Sequence, residues 1–312
     1  MTGSPISPCV PAEPLSRTVS LSRPTDLRLT VGILQRGGGD PTMLVRAGEI
    51  WRAARTPEGG ATVRLQGGGN RVEATAWGPG ADWVLTRLPM LLGEADDDST
   101  FAPAHPVVRD LYLRLRGLRI CRTEAVVDSL VAVVLEQKVT SVASRRAWRR
   151  LVWALGEPAP GPSLGLRLPA EPHWLATTPS WRYHTYGVEQ RRAETVQRIG
   201  MLASRLEETV HMPLPDARAR LLAVPGIGAW TVGWVTMLAL GDRDAVPVGD
   251  FNFPHMVSWA LAGEPRGTDA RMLELLEPFR SQRGRVIRLL LAGHRGAPRR
   301  GPRLPDPDLA LR

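Results

Sequence analysis

The stretch Pro225-Gly226-Ile227-Gly228 interrupts an apolar, otherwise helical region, with Leu221 before it and a run from Ala229 to Leu240 after it. Proline and glycine are the least favourable residues for a helix interior. The flanking runs therefore read as two helices joined by a tight hairpin. Glycine admits backbone conformations other residues resist, and it has no Cβ to hold a ligand away. The second helix would present its first unpaired N–H groups and the positive end of its dipole at the hairpin. Such an arrangement binds a phosphate without a charged side chain. Ile227 would plug the gap between the helices. On these residues alone, an ordinary helix–helix turn fits equally well.

Asp250 lies 22 positions after Gly228, and Gly249-Asp250 directly precedes another apolar run. That makes Asp250 an N-cap candidate for a helix from about Phe251. Trp230 and Trp234 are four apart and share one helical face, which suits core packing as well as a ligand wall. Asp242 and Asp244, on the loop before, read as solvated or structural. Of the 40 basic side chains only Lys138 is a lysine, so chemistry that needs a primary amine has one candidate. Cys9 and Cys121 are too few for a disulfide framework, a four-cysteine zinc site or an iron–sulfur cluster. The scattered histidines suggest no metal cluster, and no glycine-rich nucleotide motif occurs in a strand–helix setting.

These residues need elements to position them. The 312 residues give room for two domains. Residues 1–15 read as a disordered lead and 296–312 as a Pro/Arg-rich tail. Residues 16–98 read as a small mixed domain. Ala61 to Leu65 and Arg71 to Trp77 alternate as antiparallel strands separated by glycine-rich turns. A helix follows from Asp82 to Leu92, then a loop at Asp96-Asp97-Asp98-Ser99. Residues 105–295 read as all-helical, with one long apolar pattern from Glu124 to Leu155 and a Pro/Gly linker from Gly156 to Pro172. The expected fold class is α+β: a small N-terminal antiparallel β-sheet domain with a helix, followed by an all-α domain.

A formal net charge of +9 and a pI of about 10.8 favour an anionic partner, of which nucleic acid is the commonest. Arg145, Arg146, Arg149 and Arg150 form one basic cluster, and Arg280, Arg283, Arg285 and Arg288 another. Each reads equally as a DNA-facing surface or a solvated one. No run is apolar enough to span a bilayer, and the N-terminus lacks a signal-peptide pattern, so a cytoplasmic location is expected.

Leu221 to Thr231, followed by Val246 to Asp250 before a helix, resembles the helix-hairpin-helix, Gly/Pro-Asp superfamily of DNA base-excision glycosylases. The segment around Gln137-Lys138-Val139-Thr140 is similar to the superfamily's helix with an I-L-x-Q-x-[VI]-[ST] pattern. "TDLRLTVGIL" resembles the entry to the β-domain of the bacterial 3-methyladenine DNA glycosylase II (alkylpurine) branch. The resemblance implies a monofunctional glycosylase that flips a damaged base, an alkylated purine first, from double-stranded DNA and hydrolyses its N-glycosidic bond. It implies Asp250 as the catalytic carboxylate, and Trp230, Trp234 and Phe251 as walls of the base pocket. Gln137, Lys138, Thr140, Gly226, Gly228, Ala229 and Thr231 would contact DNA, with Lys138 on a helix as the wedge into the gap. Carbonyls of Leu222, Val224 and Ile227 would hold a monovalent or divalent cation, and no cofactor is required. Strand-cutting members carry a lysine where this chain has Trp230. Ile33 and Arg288 replace aromatic pocket residues of the alkylpurine branch. His255 reads as structural. The implied enzyme is a monomer, without membrane contact, in the cytoplasm at the nucleoid. A non-catalytic DNA-binding protein of the same fold, or a glycosylase for oxidised or deaminated bases, are the alternatives.

Overall fold

The computed structural model describes residues 13–296. Cys9, most of the expected lead and nearly all of the tail lie outside the described residues. Four strands, β1 (Leu15–Thr25), β2 (Met43–Arg46), β3 (Glu49–Thr56) and β4 (Gly59–Trp77), form an antiparallel sheet in the order β1-β4-β3-β2. Gly67–Gly69 is not a turn between two strands, as the alternation suggests, but a bend inside β4. These glycines have φ of 95°, 157° and 63°, values that side-chain-bearing residues rarely adopt. The bend lets the first half of β4 pair with β3 (Leu65 opposite Ile50) and the second half with β1 (Val72 opposite Val19).

One sheet face packs Val63, Leu65 and Val72 against the short helix α1 (Leu27–Thr30) and against Leu85 and Leu88 of α2 (Ala81–Leu91). The other face carries Trp51 and Ala53. The Pro/Gly segment after Gly156 covers it with Leu166 and Leu168. That segment is a packed layer of the sheet rather than a free linker.

The rest of the described chain is helical: α3 (Pro106–Arg114), α4 (Val126–Glu136), α5 (Ser141–Leu155), α6 (Pro172–Thr177), α7 (Ser180–Thr185), α8 (Gln190–Met201), α9 (Ala203–Glu207), α10 (Leu214–Leu222), α11 (Ala229–Ala239), α12 (Phe253–Ala262), α13 (Asp269–Leu276) and α14 (Arg283–Ala292). Nine of the eleven residues of α4 are buried, as expected for a helix that is apolar on all sides. It shares a core with Leu151 of α5, Val196 of α8 and Val235 of α11. The long apolar pattern from Glu124 to Leu155 is carried by two helices, Val126–Glu136 and Ser141–Leu155. Lys138, at φ 53°, turns the chain between them, and Thr140 caps α5 by accepting from Ala143 N at 3.2 Å.

The basic cluster from Arg280 to Arg288 is only partly a surface: Arg280 is exposed, but half of the cluster lies inside. Arg285 and Arg288 are buried at 1% and 4% exposure. Arg283 pairs with Asp244 at 2.5 Å and Arg280 with Glu277. Asp242 pairs with Arg218. Both loop aspartates are therefore structural.

Where sheet and helices meet, Asp128 in the first turn of α4 lies in the field of Arg52 and Arg55. Burial pushes its carboxyl up to about 6, against the pull of those arginines. Glu207 accepts from Val126 N at 2.9 Å and Val127 N at 2.8 Å. Burial pushes its carboxyl up to about 7, with the nearby Asp128 charge adding to the rise. Carboxyls raised in the folded state hold protons more tightly there than in the unfolded chain, whose values are about 4. Their contribution is fully present below about pH 4 and is lost as pH rises through 6 to 7. Asp128→Asn should therefore gain stability relative to the wild type between pH 5 and pH 8, by up to about 2 kcal/mol. Parallel urea titrations at the two pH values measure this. An unchanged difference would remove Asp128 from the linkage.

Candidate active site and nucleic-acid interface

The hairpin is built from below. Val224 and Ile227 are each only 5% exposed and sit in the helical core. Ile227 N donates to Val224 O at 3.0 Å, closing the turn. Gly226 has φ 95°, and a Cβ there would strike the Thr195 hydroxyl of α8. Gly228 is extended and starts α11, and a Cβ there would have no atom within 4 Å. Gly226, Gly228 and Ala229 are exposed. The side chains of Gln137 and Thr231 work inside the protein. Gln137 Nε2 donates to Gly226 O at 3.0 Å and to the Thr231 hydroxyl at 2.9 Å. Thr231 is 1% exposed. These residues, with the capping Thr140, fix the turn through hydrogen bonds inside the protein. Lys138 is exposed on that turn, not on a helix.

Asp250 stands before α12, which begins at Phe253 rather than Phe251. Its Oδ1 accepts from Asn252 N at 2.8 Å and Phe253 N at 3.0 Å. Its Oδ2 accepts from the Trp230 indole Nε1 at 2.8 Å. One oxygen thus fixes the carboxylate to the helix start. The other holds a single donor and is the oxygen with capacity left for a ligand.

Gly233 makes this approach possible, and the sequence reading missed it. A Cβ at Gly233 would lie 2.7 Å from Pro247 Cα and 2.9 Å from Val246 O. The loop to Asp250 therefore lies flush on α11, one turn from Trp230. A glycine inside an apolar helix beside two tryptophans was the available signal, since such a glycine usually marks close backbone approach.

The aromatic residues divide differently from the expectation. Trp230 is partly buried beside Asp250. Trp234 packs into the core, with its ring 5.5 Å from that of Phe253, and its Nε1 is buried without a partner. Phe251 is 82% exposed and meets only the edge of His255 among the described rings. Phe253, not Phe251, packs against Trp234. His255 Nδ1 accepts from Gly267 N at 3.1 Å, a structural role. Arg288 donates to Leu29 O at 2.6 Å and braces α1 of the β-sheet layer against α14. Among the described residues no group of three or more His, Cys, Asp or Glu could hold a metal ion.

The arrangement of sheet, helices and hairpin is the fold of the helix-hairpin-helix DNA glycosylases. The structure is similar to a 3-methyladenine DNA glycosylase from Archaeoglobus fulgidus, with TM-score 0.72, 17% identity and coverage of 89% of this chain and 98% of that one. It is also similar to a Clostridium acetobutylicum 8-oxoguanine glycosylase/lyase in complex with double-stranded DNA, with TM-score 0.67, 12% identity and coverage of 89% and 97%. In sequence, the chain is 30% identical over 160 residues to a probable bifunctional transcriptional activator/DNA repair enzyme AlkA of Mycobacterium tuberculosis. That match takes in 47% of this chain and 30% of the relative, so the chain spans less than a third of the relative's length. No protein-family model matches the chain.

Proposed function

We propose that this protein is a monofunctional DNA glycosylase of base excision repair that releases an alkylated purine from double-stranded DNA. The observation that carries this reading is the carboxylate of Asp250, held by two backbone N–H groups and the Trp230 indole beside an exposed glycine hairpin. The hairpin's exposed amides and the α11 N-terminus bind a backbone phosphate. The damaged nucleotide is extruded from the stack, with Lys138 on its turn entering the gap it leaves. Breaking the bond between base and deoxyribose builds positive charge on the sugar. Asp250 stabilises that charge and orients the water that completes hydrolysis. Trp230 stands where strand cleavage would need an amine, so the strand stays intact. Its ring also offers a π-face to a cationic alkylated base.

A cation at the hairpin would be held by the carbonyls of Leu222, Val224 and Ile227. Such a set of oxygens suits a hard cation, and Val224 O keeps one lone pair beyond its bond to Ile227 N. Its chemistry would be structural, fixing the hairpin for the phosphate. The protein would act as a monomer at the nucleoid in the cytoplasm. No helix among the described residues is long and apolar enough to cross a membrane. An oxidised or deaminated base is the second reading, favoured by Arg288 where the alkylpurine branch carries an aromatic residue.

The test is a panel of duplexes, each with one alkylated, oxidised or deaminated base, scored for abasic sites before and after alkaline treatment. Alkali-dependent cleavage of the alkylpurine duplex alone is the expected result. Cleavage without alkali would overturn the monofunctional reading. A second variant isolates the phosphate site. Gly228→Ala adds a methyl group that meets no protein atom within 4 Å, so its melting temperature should match the wild type. Its affinity for duplex DNA should fall about tenfold, a loss of about 1.4 kcal/mol. Unchanged binding in a fluorescence-anisotropy titration would place the phosphate elsewhere.

A further inference from the structure

Arg145 and Arg149 lie one turn apart on the exposed side of α5, ~6 Å along the helix axis. Among the described residues neither has a carboxylate partner, unlike Arg23, Arg36, Arg55, Arg64 and Arg283. They are nevertheless placed by the fold. The loop Gly37-Gly38-Gly39 from the β-sheet layer lies against them. A Cβ at Gly37 would be 2.5 Å from Arg145 Cδ, and one at Gly39 would be 3.2 Å from Arg149 Nη1. Gly37 and Gly39 have φ of 81° and 78°, so the loop's shape also depends on glycine.

The loop is itself pinned. Asp40 Oδ2 accepts from Arg36 N at 2.7 Å. Asp40 Oδ1 accepts from Thr42 N at 2.9 Å and from Trp148 Nε1 of α5 at 3.0 Å. Arg36 pairs with Glu136 at the end of α4 at 2.7 Å. Two cations are therefore held beside a fixed loop where the carboxylates are engaged elsewhere, Asp40 with Arg36 N, Thr42 and Trp148 and Glu136 with Arg36. An ordinary solvated arginine is not confined in this way. The N-terminus of the same helix follows directly on the Lys138 turn, which Gln137 ties to the glycine hairpin.

We propose that Arg145 and Arg149, backed by the Gly37–Gly39 loop, form a second contact surface for the DNA backbone. It continues the footprint of the hairpin along α5 and makes the β-sheet layer part of the DNA-binding surface. The partner is a phosphodiester strand, recognised by charge and without base sequence. This inference rests on the DNA-glycosylase reading. The confined, unanswered guanidinium groups are the observation specific to it.

The test measures binding of the full chain to an undamaged fluorescent duplex across a salt series. Arg145→Ala and Arg149→Ala should each reduce the slope of log K against log salt by about 1, because each arginine neutralises one phosphate, and the double variant should reduce it by about 2. Affinity at moderate salt should fall several-fold per arginine. Both side chains are exposed, so melting temperatures should match the wild type and exclude misfolding. Gly228→Ala is titrated in parallel. If it weakens binding while the double arginine variant keeps the wild-type slope, this second surface is wrong and the hairpin reading stands. If the wild type itself binds duplex with no salt dependence, the DNA-binding reading fails as a whole.

Discussion

Asp250→Asn should reduce single-turnover base release by at least about 10²–10³-fold, the usual cost of removing one group that meets developing charge in a closed site. The substitution preserves size and much of the local geometry. The amide oxygen can still accept from Asn252 N and Phe253 N, which hold the carboxylate at 2.8 and 3.0 Å. What it removes is the negative charge that the proposed mechanism sets against the sugar. It also sets an NH2 group opposite the Trp230 indole N–H, which now donates to Oδ2 at 2.8 Å. The second working oxygen becomes a donor aimed at a donor. Both effects fall on the chemical step, so the loss should appear in the rate at saturating enzyme. Binding of undamaged duplex, which the proposed reading assigns to other residues, should remain. Measuring abasic-site formation and melting temperature on the same preparation separates a missing charge from a damaged fold. An Asp250→Asn variant that released the base at the wild-type rate would take Asp250 out of the mechanism and leave a DNA-binding protein of this fold.

The parts of the candidate site legible in the sequence were those whose local structure needs a particular residue type. Gly226 and Asp250 belong to this group, because a hairpin position at φ 95° and a carboxylate that accepts from the start of a helix exclude most alternatives locally. The parts that were not legible depend on partners far along the chain. That the Gln137 amide bridges Gly226 and Thr231 cannot be read from its own segment. Gly233 reads as a flaw in a helix until Pro247 is seen to need the space. Phe251 and Phe253 are equivalent as aromatic letters, and only the true start of α12 decides which one turns inward. The same holds for the fold. The antiparallel strands followed from alternation, but the bend at Gly67–Gly69 mimics a turn because both require φ values open to glycine. The Pro/Gly segment after Gly156 mimics a linker because its few apolar residues, Leu166 and Leu168, are too sparse to show a period.

The largest expected loss of stability comes from Arg285, which reads from its neighbours as one of four surface arginines and is 1% exposed. Its Nη2 meets Asp96 Oδ1 at 2.5 Å and its Nε meets Gln282 Oε1 at 2.8 Å. Asp96 Oδ2 accepts from Ile120 N at 3.0 Å. Next to this pair, Asp98 gathers Arg119 Nη1 at 2.9 Å, the Tyr112 hydroxyl at 3.0 Å and Arg23 from β1. The network joins the sheet, the loop after α2, α3 and α14, so it couples the two layers that frame the site. Burial disfavours charge here, pulling Arg23 and Arg119 below the usual guanidinium range. Removing one partner leaves the other buried and unanswered, which costs about 3–5 kcal/mol. Arg285→Ala should therefore lower the melting temperature by roughly 10 °C, and Asp96→Ala should do much the same. Replacing both by apolar residues, Asp96→Leu with Arg285→Met, removes the unanswered charge along with the pair. Its loss should be smaller than the sum of the single losses, with a coupling of 0.5–3 kcal/mol as about the size typical of contacting pairs. Strict additivity in thermal melts of the four proteins would show that the two side chains act independently. The coupling would then lie with Gln282 and Asp98.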